Sequence, residues 1–429
     1  MYGKSHALDL PHYQPGRHQP PDRKYFAEIS NEQVLFLINR NIGLAPYVHD
    51  FVQSKLDPQI LSGFVCAMTS FMGEVSGSPS NTWKTVYNQD STLLVEGGSW
   101  CVGVISVSRE TSEVRSKLRR VVQEFEDSFK HMKDSNEITG KLFMEFDNFV
   151  RRVFIDDRLS EHSILLKGDD WFEYCKGYTL PSTRFKITNL LYNAQNGQSL
   201  GEIARQQEYA MDEVKNLISE AIWKEAILVE YTPSPKEILA ATEGALTTLY
   251  DIAQPINMSN EALRVIGSLD SRKKLLDIFT TQNVSDRSNV CAELGILLNK
   301  GYLQRISTEH KLVLLQECVL TKLLEAVSEY SNKTYLISKV GDAIVKGIKR
   351  YPWLSRIRLS DNLTVKVEFE VGMGPKDLDY VYNSLKYLVN CVYELMKERF
   401  NPTEISSITE SIENDCNTRW LPSLWEVML

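Results

Sequence analysis

The stretch VLFLINRNIGLAPYVHDF, residues 34–51, predicts how the N-terminal part of this chain folds. Its first five residues are all apolar, which is typical of a strand buried on both faces, and residues 44–52 form a second apolar run. The turn between them, NRNIG, contains Asn and Gly, which tolerate positive φ and suit a tight turn. A phosphate-cradling loop would need further glycines, whereas this stretch has only Gly43. We therefore predict a β-hairpin.

The residues after this hairpin carry a helix pattern and then strand patterns. Asp57 can cap a helix whose first position is Pro58, and apolar residues then recur every three or four positions as far as Val75. Further strand-like runs, separated by turn-forming residues, are 82–88, 92–96 and 100–107. Amphipathic helices follow at residues 112–132 and 138–154. The order β-β-α-β-β-β-α-α predicts five antiparallel strands covered by helices.

This order, together with the sequence DPQILSGF at residues 57–64, resembles the longin and roadblock families of profilin-like domains, and the chain in this respect resembles prokaryotic, including archaeal, longin-domain proteins. The resemblance covers about residues 26–155. It implies a module that dimerises or binds Ras-like GTPases through its sheet edge and first helix, without catalytic residues. The partner-binding residues would then be Leu61, Phe64, Val65, Met68 and Phe71. The alternative is a helix that is entirely core, because apolar helical stripes usually pack inside.

Two winged-helix-like units are predicted next, at residues 181–235 and 236–308. In the first, three helices precede the strand-like run AILVEY, and Ser199 with Glu202 forms a capping-box pattern at the start of the second helix. The second unit is predicted to repeat this plan and to end in the turn KGYL. Its expected helices are 236–253, 270–280 and 288–299.

Charge distinguishes a DNA-binding from a protein-binding role for these units. The third helix of the first unit carries two lysines against four acidic residues, which is the wrong balance for a helix facing phosphates. The best nucleic-acid candidates in the chain are Arg272, Lys273 and Lys274 of the second unit. Solvated helix ends have the same composition, and this cluster lacks interleaved aromatic residues. Nucleic acid is therefore the alternative partner and a protein the expected one.

The remaining residues, 309–429, predict a helical α+β domain with an embedded β-hairpin. The hairpin strands are expected at residues 357–359 and 365–371, followed by a long helix that begins near Pro375. Trp420 and Trp425 lie close to the end of the chain, where such large aromatic side chains should dock on this chain or on a partner.

Composition agrees with a globular protein of several domains. The chain has 429 residues, of which 43% are hydrophobic and 24% charged, so about three folded units are expected. The formal net charge of −8 disfavours a general attraction to nucleic acid. Seven scattered cysteines without a C-x-x-C spacing predict reduced thiols and a cytoplasmic location. Residues 1–24 read as a flexible, proline-rich tail without a targeting signal, and no apolar stretch has the length of a membrane span.

The motifs of several enzyme classes are missing from the sequence. It contains no P-loop, no H-E-x-x-H, no G-x-S-x-G and no Cys/His set with metal-ligand spacing. We therefore expect no enzyme activity, no cofactor and no metal site. The sequence predicts an adaptor or scaffold with the longin/roadblock-like domain at residues 25–160. A DNA-binding transcriptional or sensory regulator and a structural homo-oligomer are the alternatives.

Overall fold

The fold comes from a computed structural model of the protein. It describes residues 31–51, 58–76, 82–88, 91–133, 143–168, 171–177, 181–194, 198–224, 226–242, 245–246, 258–368 and 375–420. The chain divides into two compact units, Met1–Arg305 and Ile306–Leu429. Both contain helices and small antiparallel sheets, so the predicted α+β class is confirmed.

The first unit begins with an antiparallel sheet of five strands in the order β2-β1-β5-β4-β3. The strands are β1 (Glu32–Asn39), β2 (Leu44–Asp50), β3 (Thr82–Asn88), β4 (Ser91–Gly97) and β5 (Cys101–Val107). The predicted hairpin joins β1 to β2. In its turn the Gly43 N–H donates to the Asn39 carbonyl at 2.9 Å, and Gly43 adopts a φ of 69°, a conformation that favours glycine.

Helices cover both faces of this sheet. On one face lies α1 (Pro58–Ser76), and on the other lie α2 (Ser112–Ser128) and α3 (Met144–Phe154). Because side chains alternate along a strand, Leu35 and Leu37 of β1 point toward α2 and α3, whereas Phe36 and Ile38 point toward α1. All four are fully buried, which explains the uninterrupted apolar run of β1.

Two similar helical modules follow within the first unit. The first contains β6 (Ile164–Lys167), α4 (Trp171–Lys176), α5 (Pro181–Ala194), α6 (Leu200–Gln206), α7 (Met211–Trp223) and β7 (Ile227–Glu230). The second contains β8 (Leu239–Ala241), α8 (Asn260–Gly267), α9 (Leu275–Thr281), α10 (Arg287–Asn299) and β9 (Leu303–Arg305). In each module the strand before the helices pairs antiparallel with the strand after them.

The similarity of the two modules extends to backbone detail. Glu208, just after α6, and Asn283, just after α9, both adopt positive φ, of 55° and 50°. In both modules the N–H of the following residue donates a hydrogen bond to a carbonyl of the preceding helix. The donors are Tyr209 in the first module and Val284 in the second, each at 3.0 Å. The turn after α9 in the second module therefore has the same backbone conformation as the turn after α6 in the first.

The start of the second module differs from the sequence-based expectation. Residues 236–253 were expected to form a helix, but β8 occupies residues 239–241, where Ala240 pairs opposite Gln304 of β9. The helix expected from Asp270 begins instead at Leu275. Asp270 accepts backbone hydrogen bonds that fold the preceding residues into a turn. Residues 243–244 and 247–257 lie outside the described residues.

A buried charged cluster joins the sheet to the helical modules. Arg158, just after α3, forms a two-pronged ion pair with Glu32 of β1, in which Nη1 donates to Oε2 at 2.7 Å and Nη2 donates to Oε1. On α2, Glu113 accepts the Arg305 backbone N–H at 3.1 Å and contacts Lys117 Nζ at 2.8 Å. We call the following residues the Arg158 cluster: Glu32, Glu113, Lys117, Arg158, Glu237 and Arg305.

The charged side chains of this cluster are largely buried, so each needs a partner of opposite charge for the fold to be stable. Burial alone would raise the pKa of Glu113, but Lys117, Arg158 and Arg305 reverse the effect and hold that pKa well below its usual range. The carboxylate is therefore ionised. Because an unpaired buried charge is costly, the cluster fixes the sheet and the modules as one assembly.

An aromatic stack makes a second contact between the sheet and the first module. The His49 ring of β2 lies against Trp223 of α7, with 3.5 Å between ring centroids and 9° between planes. Burial lowers the pKa of His49 to about 3, so the imidazole is neutral.

The second unit contains four α-helices, a short 3-10 helix (Pro352–Arg356) and a hairpin among its described residues. Its elements are α11 (Thr308–Ser328), α12 (Lys333–Ile348), β10 (Ile357–Leu359), β11 (Val365–Val367), α13 (Pro375–Lys397) and α14 (Pro402–Trp420). The hairpin is held against α11, because Glu317 Oε2 accepts the Val367 N–H at 2.8 Å and Thr321 Oγ1 accepts the Val365 N–H at 3.0 Å. Trp425 lies outside the described residues, as does the side chain of Trp420.

Candidate partner-binding surface

One face of α1 holds this helix on the sheet. Val65 is fully buried, and Leu61 and Met68 pack against the same apolar cluster. These three residues were predicted to contact a partner, and in the structure they contribute to the contact between α1 and the sheet, with Leu61 and Met68 only partly buried. They recur at steps of three and four residues, as one helix face requires.

Two hydrogen bonds fix how α1 lies across the sheet. Near the start of the helix, Ser62 Oγ donates to the Gly43 carbonyl in the β1–β2 turn at 2.9 Å. Further along, Trp83 Nε1 of β3 donates to Thr69 Oγ1 at 3.2 Å. Because β2 and β3 are the two edge strands, α1 spans the width of the sheet with a defined rotation about its axis.

The outward face of α1 is apolar or small. Ile60 is 73% exposed and Phe64, one turn later, is 46% exposed. Gly63 and Ala67 lie between and beyond them and are also exposed. A surface helix normally turns charged residues to solvent. The one charged residue of α1 is Glu74, whose side chain is outside the described residues.

Edge strand β2 extends this surface. Val48 pairs opposite Phe36, whose side chain lies in the core beneath α1, so Val48 stands on the same face of the sheet as α1. It is 40% exposed. Pro46 removes one N–H donor from the strand, which disfavours the addition of a further strand. We call the exposed residues on this side of the sheet the α1 face: Val48, Ile60, Gly63, Phe64 and Ala67.

Among the predicted partner-binding residues whose side chains the structure describes, Phe64 is the exposed one. The side chain of Phe71 lies outside the described residues. Sequence reasoning did not select Ile60 or Val48. The spacing of Ile60 and Phe64, four residues apart, indicated a second apolar stripe on the helix, and Val48 could have been found only from the register of the sheet.

The basic residues Arg272, Lys273 and Lys274 lie together in the turn before α9. An acidic residue sits within this turn: Asp270 Oδ1 accepts the backbone N–H groups of Arg272 at 2.9 Å and Lys273 at 2.8 Å. The Lys273 ammonium also lies 3.5 Å from the Asp270 carboxylate. Burial tends to raise the pKa of Asp270, but these hydrogen bonds lower it overall. Asp270 therefore offsets part of the positive charge.

Within the described ranges, no group of three or more His, Cys, Asp or Glu side chains is arranged to hold a metal ion. No helix in the same part of the chain combines the length and apolar character of a membrane span. Neither a protein-family model nor a curated protein matches this chain.

Proposed function

We propose that this protein is a non-catalytic adaptor or regulator that binds another protein through the α1 face. The observation that carries the proposal is an outward helix surface that exposes Ile60 and Phe64 where charged residues are expected. The resemblance to longin and roadblock domains suggests a Ras-like GTPase or a second copy of this chain as the partner. A cytoplasmic location belongs to the same proposal.

The chemistry of the α1 face suits a protein partner. Aromatic side chains are enriched among the residues that dominate interface energetics, and Phe64 provides one beside Ile60. Gly63 and Ala67 are small, so a partner can approach the helix closely. The helix is already fixed to the sheet by Val65, which keeps the entropy lost on binding low.

The proposal is tested by measuring binding to a panel of Ras-like GTPases, each loaded with GDP or a non-hydrolysable GTP analogue, and by sedimentation of the protein alone. We expect saturable binding to one GTPase or concentration-dependent dimerisation. Phe64→Ser should weaken either association by roughly 30-fold, since truncating a central aromatic costs about 2 kcal/mol.

Phe185→Ser is the matched control, because Phe185 is 65% exposed and belongs to α5 of the first helical module, not to α1. It should leave the association unchanged. Absence of any GTPase binding together with a monomer at all concentrations would contradict the proposal. Equal losses of affinity from the two substitutions would contradict a binding site specific to the α1 face.

The second candidate function is DNA binding by the second module, where three consecutive basic residues, Arg272, Lys273 and Lys274, occupy the turn before α9. Phosphate contacts release counterions, so such binding should fall steeply with salt and be lost when all three residues are replaced by alanine. DNA binding that is unaffected by salt and by the triple substitution would exclude this function for the turn.

A further inference from the structure

Two cysteines of the second unit have their sulfur atoms in direct contact. The Cys416 thiol on α14 donates to Cys318 Sγ on α11 at 2.8 Å. Both residues are present as thiols. The sulfur–sulfur bond of a disulfide is about 2.05 Å long, so the two atoms would need to approach by roughly 0.8 Å to be joined.

The surroundings of the pair keep the two helices in this position. Lys322, one turn after Cys318 on α11, forms an ion pair with Asp415, the residue before Cys416 on α14. The two sulfur atoms are therefore held together by a polar contact beside them as well as by helix packing. Little backbone movement is needed to close a covalent bond at this position.

Access to solvent differs between the two thiols. Cys416 is fully buried, whereas Cys318 is half-buried. An oxidant from solvent would therefore reach Cys318 first. Cys416 would be the second thiol, placed at contact distance from the sulfur that has been oxidised. This is the arrangement of a reacting and a resolving cysteine.

We propose that Cys318 and Cys416 form a reversible oxidation site, in which hydrogen peroxide cross-links α11 to α14. Cys318 sulfur attacks the peroxide, which breaks the O–O bond and gives a sulfenic acid and one water. Cys416 sulfur then attacks the sulfenic sulfur, and the S–S bond forms as a second water leaves. Two thiols and one peroxide thus become one disulfide and two waters, and a dithiol reductant reverses the reaction.

The cross-link would join residues 98 positions apart. A bond that closes so long a loop restricts the unfolded chain and should stabilise the folded second unit. Most of the described side chains of α14 are exposed, so this helix gains a covalent attachment that its own packing does not provide. The oxidation site does not depend on the proposed partner binding.

The test is mild oxidation of the purified full-length protein with a small excess of hydrogen peroxide. Remaining thiols are then alkylated and the peptides identified by mass spectrometry without reduction. We expect a peptide pair joined through Cys318 and Cys416 that is about 2 Da lighter than the sum of its reduced parts, because two hydrogens are lost. Treatment with dithiothreitol should separate the pair.

Two variants and a melting experiment complete the test. Cys318→Ser should abolish the cross-link, and Cys391→Ser, which removes another half-buried thiol of the same unit, should leave it intact. Oxidation should raise the melting temperature of the parent and of Cys391→Ser by several degrees, but not that of Cys318→Ser. Sulfinic or sulfonic acid at Cys318 with a free Cys416, or no oxidation of either residue, would overturn the proposal.

Discussion

The two faces of the five-stranded sheet are built on the same strands but have opposite surroundings. On the α2 face even charged side chains are buried, among them Glu113, Arg115 and Lys117, and Glu113 accepts the backbone N–H of Arg305 in the second module. On the other face, α1 exposes Ile60 and Phe64. The first face therefore serves to hold the unit together, whereas the outward side of the second contributes little to folding.

This difference separates stability from binding within one domain. A change in the Arg158 cluster should destabilise the fold, since its charges cannot be rehydrated without opening the junction. A change at Ile60 or Phe64 should leave the fold intact, since those side chains already contact water.

Arg158→Met should lower the free energy of unfolding by about 3–5 kcal/mol, because it leaves Glu32 and Glu113 buried without their shared cation. Urea unfolding measures the change. The matched control is Arg120→Met, since Arg120 forms a 3.4 Å ion pair with Asp157 in which both side chains are about 30% exposed. The control should cost less than about 1 kcal/mol. Similar losses of unfolding free energy in the two variants would mean that the Arg158 cluster stabilises the fold no more than an exposed ion pair does.

Val65→Ala should destabilise the protein by roughly 2 kcal/mol, because it removes two methyl groups from the cluster beneath α1 and leaves a cavity. Phe64→Ala, at the adjacent position, removes a larger side chain but should cost less, since Phe64 is nearly half exposed. Urea midpoints of the two variants give the comparison. A greater loss of stability in Phe64→Ala than in Val65→Ala would mean that the outward side of α1 is part of the core.

His49 should make stability depend on pH at the junction with the first module. In the unfolded chain the imidazole takes up a proton below its ordinary pKa of 6.5, whereas in the folded protein it does so only near about 3. The unfolded state therefore binds more protons between these values. Stability is retained above pH 6.5 and is lost as the pH falls, by at most about 1.4 kcal/mol per pH unit.

His49→Phe isolates this contribution. Phenylalanine can keep the stack on Trp223 but cannot be protonated. Urea unfolding at pH 7 and at pH 5 should show a loss for the parent that exceeds the loss for the variant by roughly 1–2 kcal/mol. If both proteins lose the same amount, the ring of His49 is accessible to protons in the folded state.

The sequence predicted those parts of the fold that depend on neighbouring residues. The run of five apolar residues in β1 indicated a strand buried on both faces, and the turn with Gly43 indicated the hairpin. Helix α13 begins at Pro375, as its turn chemistry suggested. The assignments to longin and winged-helix families stay predictions.

What the sequence did not predict depends on residues far apart in the chain. Glu32 pairs with Arg158, 126 positions away, and the Cys318–Cys416 contact spans 98 positions. Strand β8 has three residues and is defined by its partner β9, so its local pattern resembled a helix. More than one face of α1 carries apolar residues, so their spacing alone could not show which of them are exposed to solvent.

Ile60→Lys should have the smallest effect on stability, within about 0.5 kcal/mol, because the side chain is 73% exposed and a lysine there can be hydrated. Its effect should appear in association. A charge in the middle of an apolar interface must lose its hydration on binding, so the affinity for the partner or for a second copy should fall at least tenfold. Sedimentation and circular dichroism on the same sample measure both quantities. A variant that associates normally would mean that the partner contacts α1 elsewhere, whereas one that unfolds would mean that Ile60 belongs to the core and that the two faces of the sheet do not differ as described.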